Sequence, residues 1–236
     1  MKRLLLVGLL VVGNARAVAQ TNETKPVRKK LAYVIEEYGV LKNDETVRSG
    51  PYRKRLRDRD VLLEEGQYAD NRRVGVWTFY QYNGDPELRY DYSADSVLLN
   101  RQRPVRETYP VLIGDSTVQV SLDRPPIHLV SSVEIGTTLQ RELRLPPELL
   151  RAGDTRVSVR PTVVVGPDGK SVHYRALVAP PNKALNVHSV AVIRKAYAPV
   201  QWLPAIYHGQ PVQTIYVGDE AILVTFGPPV VRPSSP

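Results

Sequence analysis

Between Arg156 and Val165 apolar residues occupy every second position: Val157, Val159, Pro161, Val163 and Val165 alternate with Ser158, Arg160 and Thr162. A period of two marks a strand with one face in a core and the other in water, so the chain must build a sheet here. Gly166-Pro167-Asp168-Gly169 then reverses the chain, with proline fixing φ at the first corner and glycine accepting the left-handed position that follows. The return strand places Val172, Tyr174, Ala176 and Val178 on one face and Ser171, His173 and Arg175 on the other. Pro161 has no N–H to give a ladder, so the first strand is expected to be an edge there, bulged, or shorter than drawn.

Helix signals flank this hairpin. Thr137-Thr138-Leu139-Gln140 offers a capping box, which predicts a short helix starting there and stopping before Pro146. Pro147 suits the first turn of another short helix and Gly153 its end. Downstream, Asn182 reads as the cap of a helix with an apolar stripe of Val187, Val190, Ile193 and Tyr197. Arg194 and Lys195 complement its dipole, and Pro199 ends it. A last strand runs from Gln210 to Phe226, interrupted at Gly218-Asp219 by a bulge or bend.

The first half carries a repeat. Gly50-Pro51-Tyr52 recurs as Gly75-Val76-Trp77, and Glu64-Glu65-Gly66-Gln67-Tyr68 is echoed by Leu88-Arg89-Tyr90-Asp91-Tyr92, both at a spacing of about 25 residues. In the second copy the aromatic run Trp77 to Tyr82 suits a strand, Asn83-Gly84 supplies the turn, and Glu87 to Tyr92 returns. Hairpins of this kind are marginal singly and must lay their aromatic rows together, with Tyr52, Trp77 and Tyr80 as anchors. The first copy lacks the aromatic row and the Asn-Gly turn between Arg53 and Asp60, so its hairpin is expected to be longer or irregular. The pattern resembles the MORN repeat family over about 47–92, with 32–41 as a leading strand; that resemblance implies an interaction platform.

The chain opens with Lys2 and Arg3, an apolar run from Leu4 to Val12, and Ala17-Val18-Ala19, which reads as a secretory signal peptide over 1–19. The run is shorter than the roughly 18 residues a membrane span needs. A periplasmic or secreted protein is expected, with no transmembrane segment after cleavage. With no cysteine anywhere, disulfides, thiolate chemistry and cysteine-bound zinc are excluded. The net charge of +8 is carried by bases interspersed with acids, as in Lys54 to Asp60, which argues against nucleic-acid binding.

The order helix, strand, strand, helix, strand, with Trp202-Leu203-Pro204-Ala205 followed by Gly209-Gln210-Pro211-Val212, resembles the TonB C-terminal domain family over about 135–226. The resemblance implies a small antiparallel sheet packed on helices that receives an extended peptide, such as that of an outer-membrane receptor, beside its final strand. Here that strand corresponds to Val212, Gln213, Thr214, Ile215, Tyr216 and Val217, continuing through Ala221 to Phe226. Trp202 and Pro204 are expected to pack the core and fix the strand's entry. A working transducer of that family has an uncleaved membrane helix and a long proline-rich spacer, and this chain departs from the pattern in both.

The expected fold class is therefore α+β and β-rich. A hairpin module over 30–97 is followed by a connector with one or two strands over 98–134, a TonB-like domain over 135–227 and a disordered tail over 228–236. His128, His173, His188 and His208 lack companions at ligand spacing and read as satisfied surface residues. Adjacent acids such as Glu36-Glu37 and Glu64-Glu65 would face opposite sides of a strand, which does not suit paired acid and base work. No nucleophile elbow, zinc-protease motif or phosphate loop is present. The expectation is a non-enzymatic adaptor without cofactor or metal that binds a protein or peptide by strand addition. The alternatives are a scaffold that forms a homodimer through the C-terminal sheet, or a membrane-anchored transducer if the N-terminal segment stays attached.

Overall fold

Turn chemistry shapes the first hundred residues into one sheet of consecutive hairpins. The computed structural model describes residues 23–102, 106–114, 116–150 and 155–225. The expected signal at 1–19, the helix end at Gly153, Phe226 and the tail at 228–236 lie outside them. Strands β1 (Thr24–Lys30), β2 (Val34–Leu41), β3 (Arg48–Leu56), β4 (Leu62–Ala69), β5 (Arg72–Tyr80), β6 (Pro86–Asp91) and β7 (Ser96–Asn100) form a seven-stranded antiparallel sheet in chain order. Between β4 and β5, Asp70 and Asn71 both take positive φ, the two-residue turn that matches strand twist. At Asn83-Gly84 only the glycine is left-handed, at φ 86°. The first repeat copy is longer and irregular, as its missing turn signal implies: the β3–β4 register shifts between Lys54 and Arg55, and a four-residue loop over 57–60 is closed by Leu56 N–H donating to the Val61 carbonyl at 2.8 Å.

The repeat has a physical basis in the sheet's inner face. Gly50 and Gly75 share left-handed backbones at φ 94° and 60°, and two residues on from each, the Tyr52 and Trp77 rings meet at 5.1 Å between centroids. Tyr68 and Tyr92 close edge-on around Trp77 at 5.2 and 5.9 Å. Gly66 lies beneath the indole, since a Cβ there would stand 2.3 Å from it. Beside this aromatic row runs an ionic one. Glu36, Lys54 and Glu64 are register neighbours on β2, β3 and β4, and Glu64 is wholly buried. Glu64 and Glu65 face opposite sides of β4, as a period of two requires: Glu64 points inward while Glu65 pairs with Arg53 at 3.2 Å outside.

The second region is also β-rich, and its strands interleave. β8 (Tyr109–Ile113) and β9 (Ser116–Val120) form a hairpin in the segment expected to hold one or two strands; β10 (Ile127–His128) follows. Then come α1 (Ser132–Glu142), α2 (Pro147–Leu150), β11 (Thr155–Val165), β12 (Ser171–Ala179) and α3 (Lys183–Tyr197). The closing segments are β13 (Trp202–Leu203), β14 (Ala205–Tyr207), β15 (Gln210–Val212), β16 (Thr214–Val217) and β17 (Ala221–Thr225). The main sheet runs β12-β11-β16-β8-β9, with β17 also paired to β11. Val157, Val159, Val163 and Val165 face its core with Ile135 and Leu139 of α1 and Leu185, Ile193 and Tyr197 of α3. No helix among the described residues is long and apolar enough to cross a membrane.

Three sequence expectations are corrected here. Helix α1 begins five residues before Thr137: Ser131 is its cap, with Oγ accepting from Val133 N–H at 3.2 Å, and Thr138 only bonds back to the Glu134 carbonyl at 3.1 Å. On α3 the Asn182 cap holds, Oδ1 accepting from Leu185 N–H at 2.9 Å, but Val187 is 66% exposed and the buried stripe runs Leu185, Ser189, Ile193, Tyr197. Finally, β11 is neither edge, bulged nor short at Pro161. It is its partner that breaks: β16 and β17 pair with β11 on either side of Pro161, and the chain between them bends at 218–220. Gly218 N–H donates to the Pro161 carbonyl at 2.9 Å. A residue's N–H and C=O leave a strand on the same side, so the proline's missing donor falls where the partner has already turned away.

The two regions share a core. β10 pairs with β13, and Ile127, Leu129 and Leu203 pack into the cluster of Trp77, Phe79 and Leu88. At the start of α1, Ser131 Oγ donates to the Tyr80 carbonyl at 2.7 Å and Ser132 N–H to Glu87 Oε1 at 2.6 Å. Lys54 Nζ stands 3.0 Å from both Glu64 Oε1 and Glu134 Oε2, carrying the ionic row into α1.

Candidate strand-docking site

The expected rim, Val212 to Val217, is divided by the fold. Val212 pairs with Ala205 in the small β14-β15 ribbon. The Gln213 carbonyl accepts from Leu112 N–H at 2.9 Å, and Thr214 lies between Val165 and Val111 with its Oγ1 donating to the Pro110 carbonyl at 2.9 Å. A free flank at Gln213 and Thr214 is thus ruled out by β8, whose residues are about a hundred positions upstream. Ile215 and Val217 are half-buried, and Tyr216 is buried among aromatic rings.

Beyond the bend the situation differs. Because the Pro161 carbonyl points to the β16-β17 side, alternation sends the backbone groups of Val159 and Val157 the same way. Their register partners Ala221 and Leu223 therefore bond to β11, and the N–H and C=O of Ile222 and Val224 point outward. No strand among the described residues pairs with that side of β17. The Ala221 and Leu223 side chains pack toward the core, while Ile222 is 46% exposed on the other face.

A pocket of about 160 Å³ lies against the bend, between α1 and the closing strands. Ile135 and Leu139 give it apolar walls, His128, Tyr197 and Tyr216 aromatic ones, and Asp219 and Glu220 stand at its lining with Ala221. The rings are held by Trp202, which is 5.0 Å from Tyr216, 5.6 Å from His128 and stacked on Tyr197 at 6.2 Å. Trp202 Nε1–H donates to Ser171 Oγ at 2.8 Å, and its carbonyl passes so close to Gly169 that a Cβ there would stand 2.4 Å away. Gly169 also sits at φ 72°, so the Pro-Asp-Gly turn needs glycine twice over. Trp202 is buried in the core and the Pro204 carbonyl accepts from Arg124 Nη2 at 3.1 Å. The other two anchors lie in the first sheet: Trp77 is wholly buried with Nε1–H donating to the Gln67 carbonyl at 3.2 Å, and Tyr80 Oη donates to Glu65 Oε1 at 2.6 Å.

His128 is the residue that sequence reasoning misplaced. It is buried, not on the surface, with Nδ1 2.8 Å from the Val130 carbonyl and 3.0 Å from Gln102 Nε2. Burial pushes its pKa down to about 4, so the ring is neutral at neutral pH. The signal available was its apolar setting, Ile127-His128-Leu129-Val130. His173 and His188 are exposed, and His188 Nε2 lies 3.1 Å from the Glu142 carbonyl. Burial, and then the nearby Asp219 carboxylate, push the Tyr216 hydroxyl upward. Glu87 is raised by burial against the opposing bond from Ser132 N–H.

A larger groove of about 770 Å³ crosses the outer face of the first sheet. Its charges answer one another across the strands, Arg28 with Glu37 at 3.3 Å and Arg53 with Glu65 at 3.2 Å. Among the described residues no group of three His, Asp or Glu side chains gathers as a metal site would require. The chain matches no protein-family model, no curated protein and no solved structure.

Proposed function

We propose that this chain is an exported, non-enzymatic binding protein of the bacterial envelope that accepts an extended partner segment by strand addition along β17. The observation that carries the reading is the outward backbone of Ile222 and Val224, unpaired by any strand among the described residues. Unpaired backbone groups at a sheet edge give affinity, and the alternating side chains beside them give selectivity. The order of elements supports it: α1, β11, β12, α3 and the β16-β17 segment follow the helix, strand, strand, helix, strand succession of the TonB C-terminal family. In that light the partner is a peptide of an outer-membrane receptor, met outside the inner membrane, and the seven-stranded sheet is a platform that fixes α1 behind the site.

The test uses the chain from Gln20 onward with extended receptor-derived peptides, read by hydrogen exchange. Peptide should protect the Ile222 and Val224 amides, and Ile222→Pro, which deletes an outward donor without touching the bonds to β11, should abolish binding. Binding that survives Ile222→Pro, or protection that falls elsewhere, refutes the site. Protection of the same amides in a sample without peptide, with a mass that doubles on sedimentation, would replace the peptide by a second copy of this chain.

A further inference from the structure

The pocket at the bend has a chemistry that the backbone rim lacks. It opens on the α1 side of the sheet, where Ala221 and Leu223 direct their side chains, so a segment lying along β17 presents every second side chain toward it. Ile135 and Leu139 line it with apolar surface, and so do the Tyr197 and Tyr216 rings. Asp219 and Glu220 are exposed at the bend. Glu220 faces Arg160 at 3.8 Å, but no lysine or arginine among the described residues lies within ion-pairing distance of Asp219. Behind the pocket the buried Glu87 carboxylate holds Ser132 N–H, the neutral His128 adds no opposing charge, and on the Tyr216 wall the field of Arg106 opposes those of Asp219 and Glu87. An apolar slot walled by aromatic rings and ending in carboxylates suits a cation on an alkyl stem. An anion would meet like charge, and a purely apolar group would strip water from Asp219 without replacing it.

We propose that this pocket receives a lysine or arginine side chain of the segment docked on β17, with its stem against Ile135 and Leu139 and its cationic head at Asp219 and Glu220. The inference rests on the strand-addition reading, and it assigns the partner a basic residue at the position facing α1.

Two arms on the chain from Gln20 onward separate the pocket from the rim. In the first, n-butylammonium and the neutral 1-butanol are titrated while the Gly136 and Ala221 amides are followed by NMR; the amine should shift both and the alcohol neither. In the second, two extended peptides differ only by lysine against norleucine, and the lysine peptide should bind about fivefold to tenfold tighter, the scale of a partly exposed cation beside rings and carboxylates. The doubly neutralised D219N/E220Q chain should lose that preference and keep its affinity for the norleucine peptide. Amine shifts without any peptide binding would uphold the pocket and remove strand addition. Absence of amine shifts together with equal peptide affinities overturns the proposal, as does a lysine preference that persists in D219N/E220Q.

Discussion

The two sheets of this molecule solve the same problem in opposite ways. In the first, every strand pairs with its neighbour in the chain, so each contact closes a short loop and each turn specifies one pairing. In the second, β16 lies between β11, some fifty residues earlier, and β8, about a hundred earlier, and the hydrogen bonds at Thr214 depend on both arriving. In the local sheet, register sets Glu36, Lys54 and Glu64 opposite one another, and this sheet carries that charged row beside its aromatic one. The interleaved sheet turns mainly valines and aromatic rings to its core, which need no counter-charge across the strands. A buried charge needs its partner in register, and a sheet of consecutive hairpins supplies that from its turns.

Removing the indole most directly challenges that division. Trp77→Ala should cost about 3–5 kcal/mol in urea unfolding. Because Ile127, Leu129 and Leu203 share its cluster, fluorescence of Trp202 and circular dichroism should report one transition; two separated transitions would show that the regions are independent after all. Lys54→Met comes next, since it leaves the wholly buried Glu64 with only Arg73 Nη2 at 3.6 Å and takes the cation from the half-buried Glu134; it should cost about 3 kcal/mol, while the Lys54→Met/Glu64→Leu pair should recover part of the loss. Equal stability of the single and double variants would mean that the ionic row is not a coupled unit.

His128, at the seam between the sheets, sharpens the comparison through pH. Its folded pKa of about 4 lies below its ordinary 6.5, so between these values the unfolded chain binds a proton that the folded chain refuses. Its contribution is complete above pH 6.5 and fades as pH falls toward 4, by up to about 3 kcal/mol. Measured against His128→Asn, the wild type should show an excess pH dependence of its urea midpoint in that window, which the variant lacks; identical slopes would place the ring in contact with water. The smallest effect belongs to the interleaved region alone: Asn182→Ala should cost about 1 kcal/mol by loss of the bond to Leu185 N–H.

Legibility in the sequence followed the same division. The hairpin of β11 and β12, the Asn-Gly turn, the Gly50 and Gly75 echo and the α3 cap all rest on residues close together in the chain, and those signals survive without a structure. The covering of Thr214 by β8 does not, because nothing in either segment names the other. Helix α1 was legible but misread: Ser131 and Glu134 carry the same cap spacing as Thr137 and Gln140, and what selects the earlier start is the grip of Tyr80 and Glu87 on Ser131 and Ser132. The burial of Glu64 was hidden because a period of two fixes which residues share a face but not which face turns inward. For the expected docking strand, the sequence marks Val212 to Val217 and its continuation to Phe226, but not that β8 covers Thr214 while one side of β17 pairs with no strand among the described residues.

The bend at Gly218 also decides how this region would yield to a pull. Load applied after Thr225 acts on β17 across its bonds to β11, which would part in succession, one residue pair at a time, from Thr225 back to Ala221. At the bend the peeling would meet Gly218 tied to Pro161 and then β16, paired with β11 on one side and with β8 at Thr214 on the other, so more backbone bonds would have to part together there than along β17.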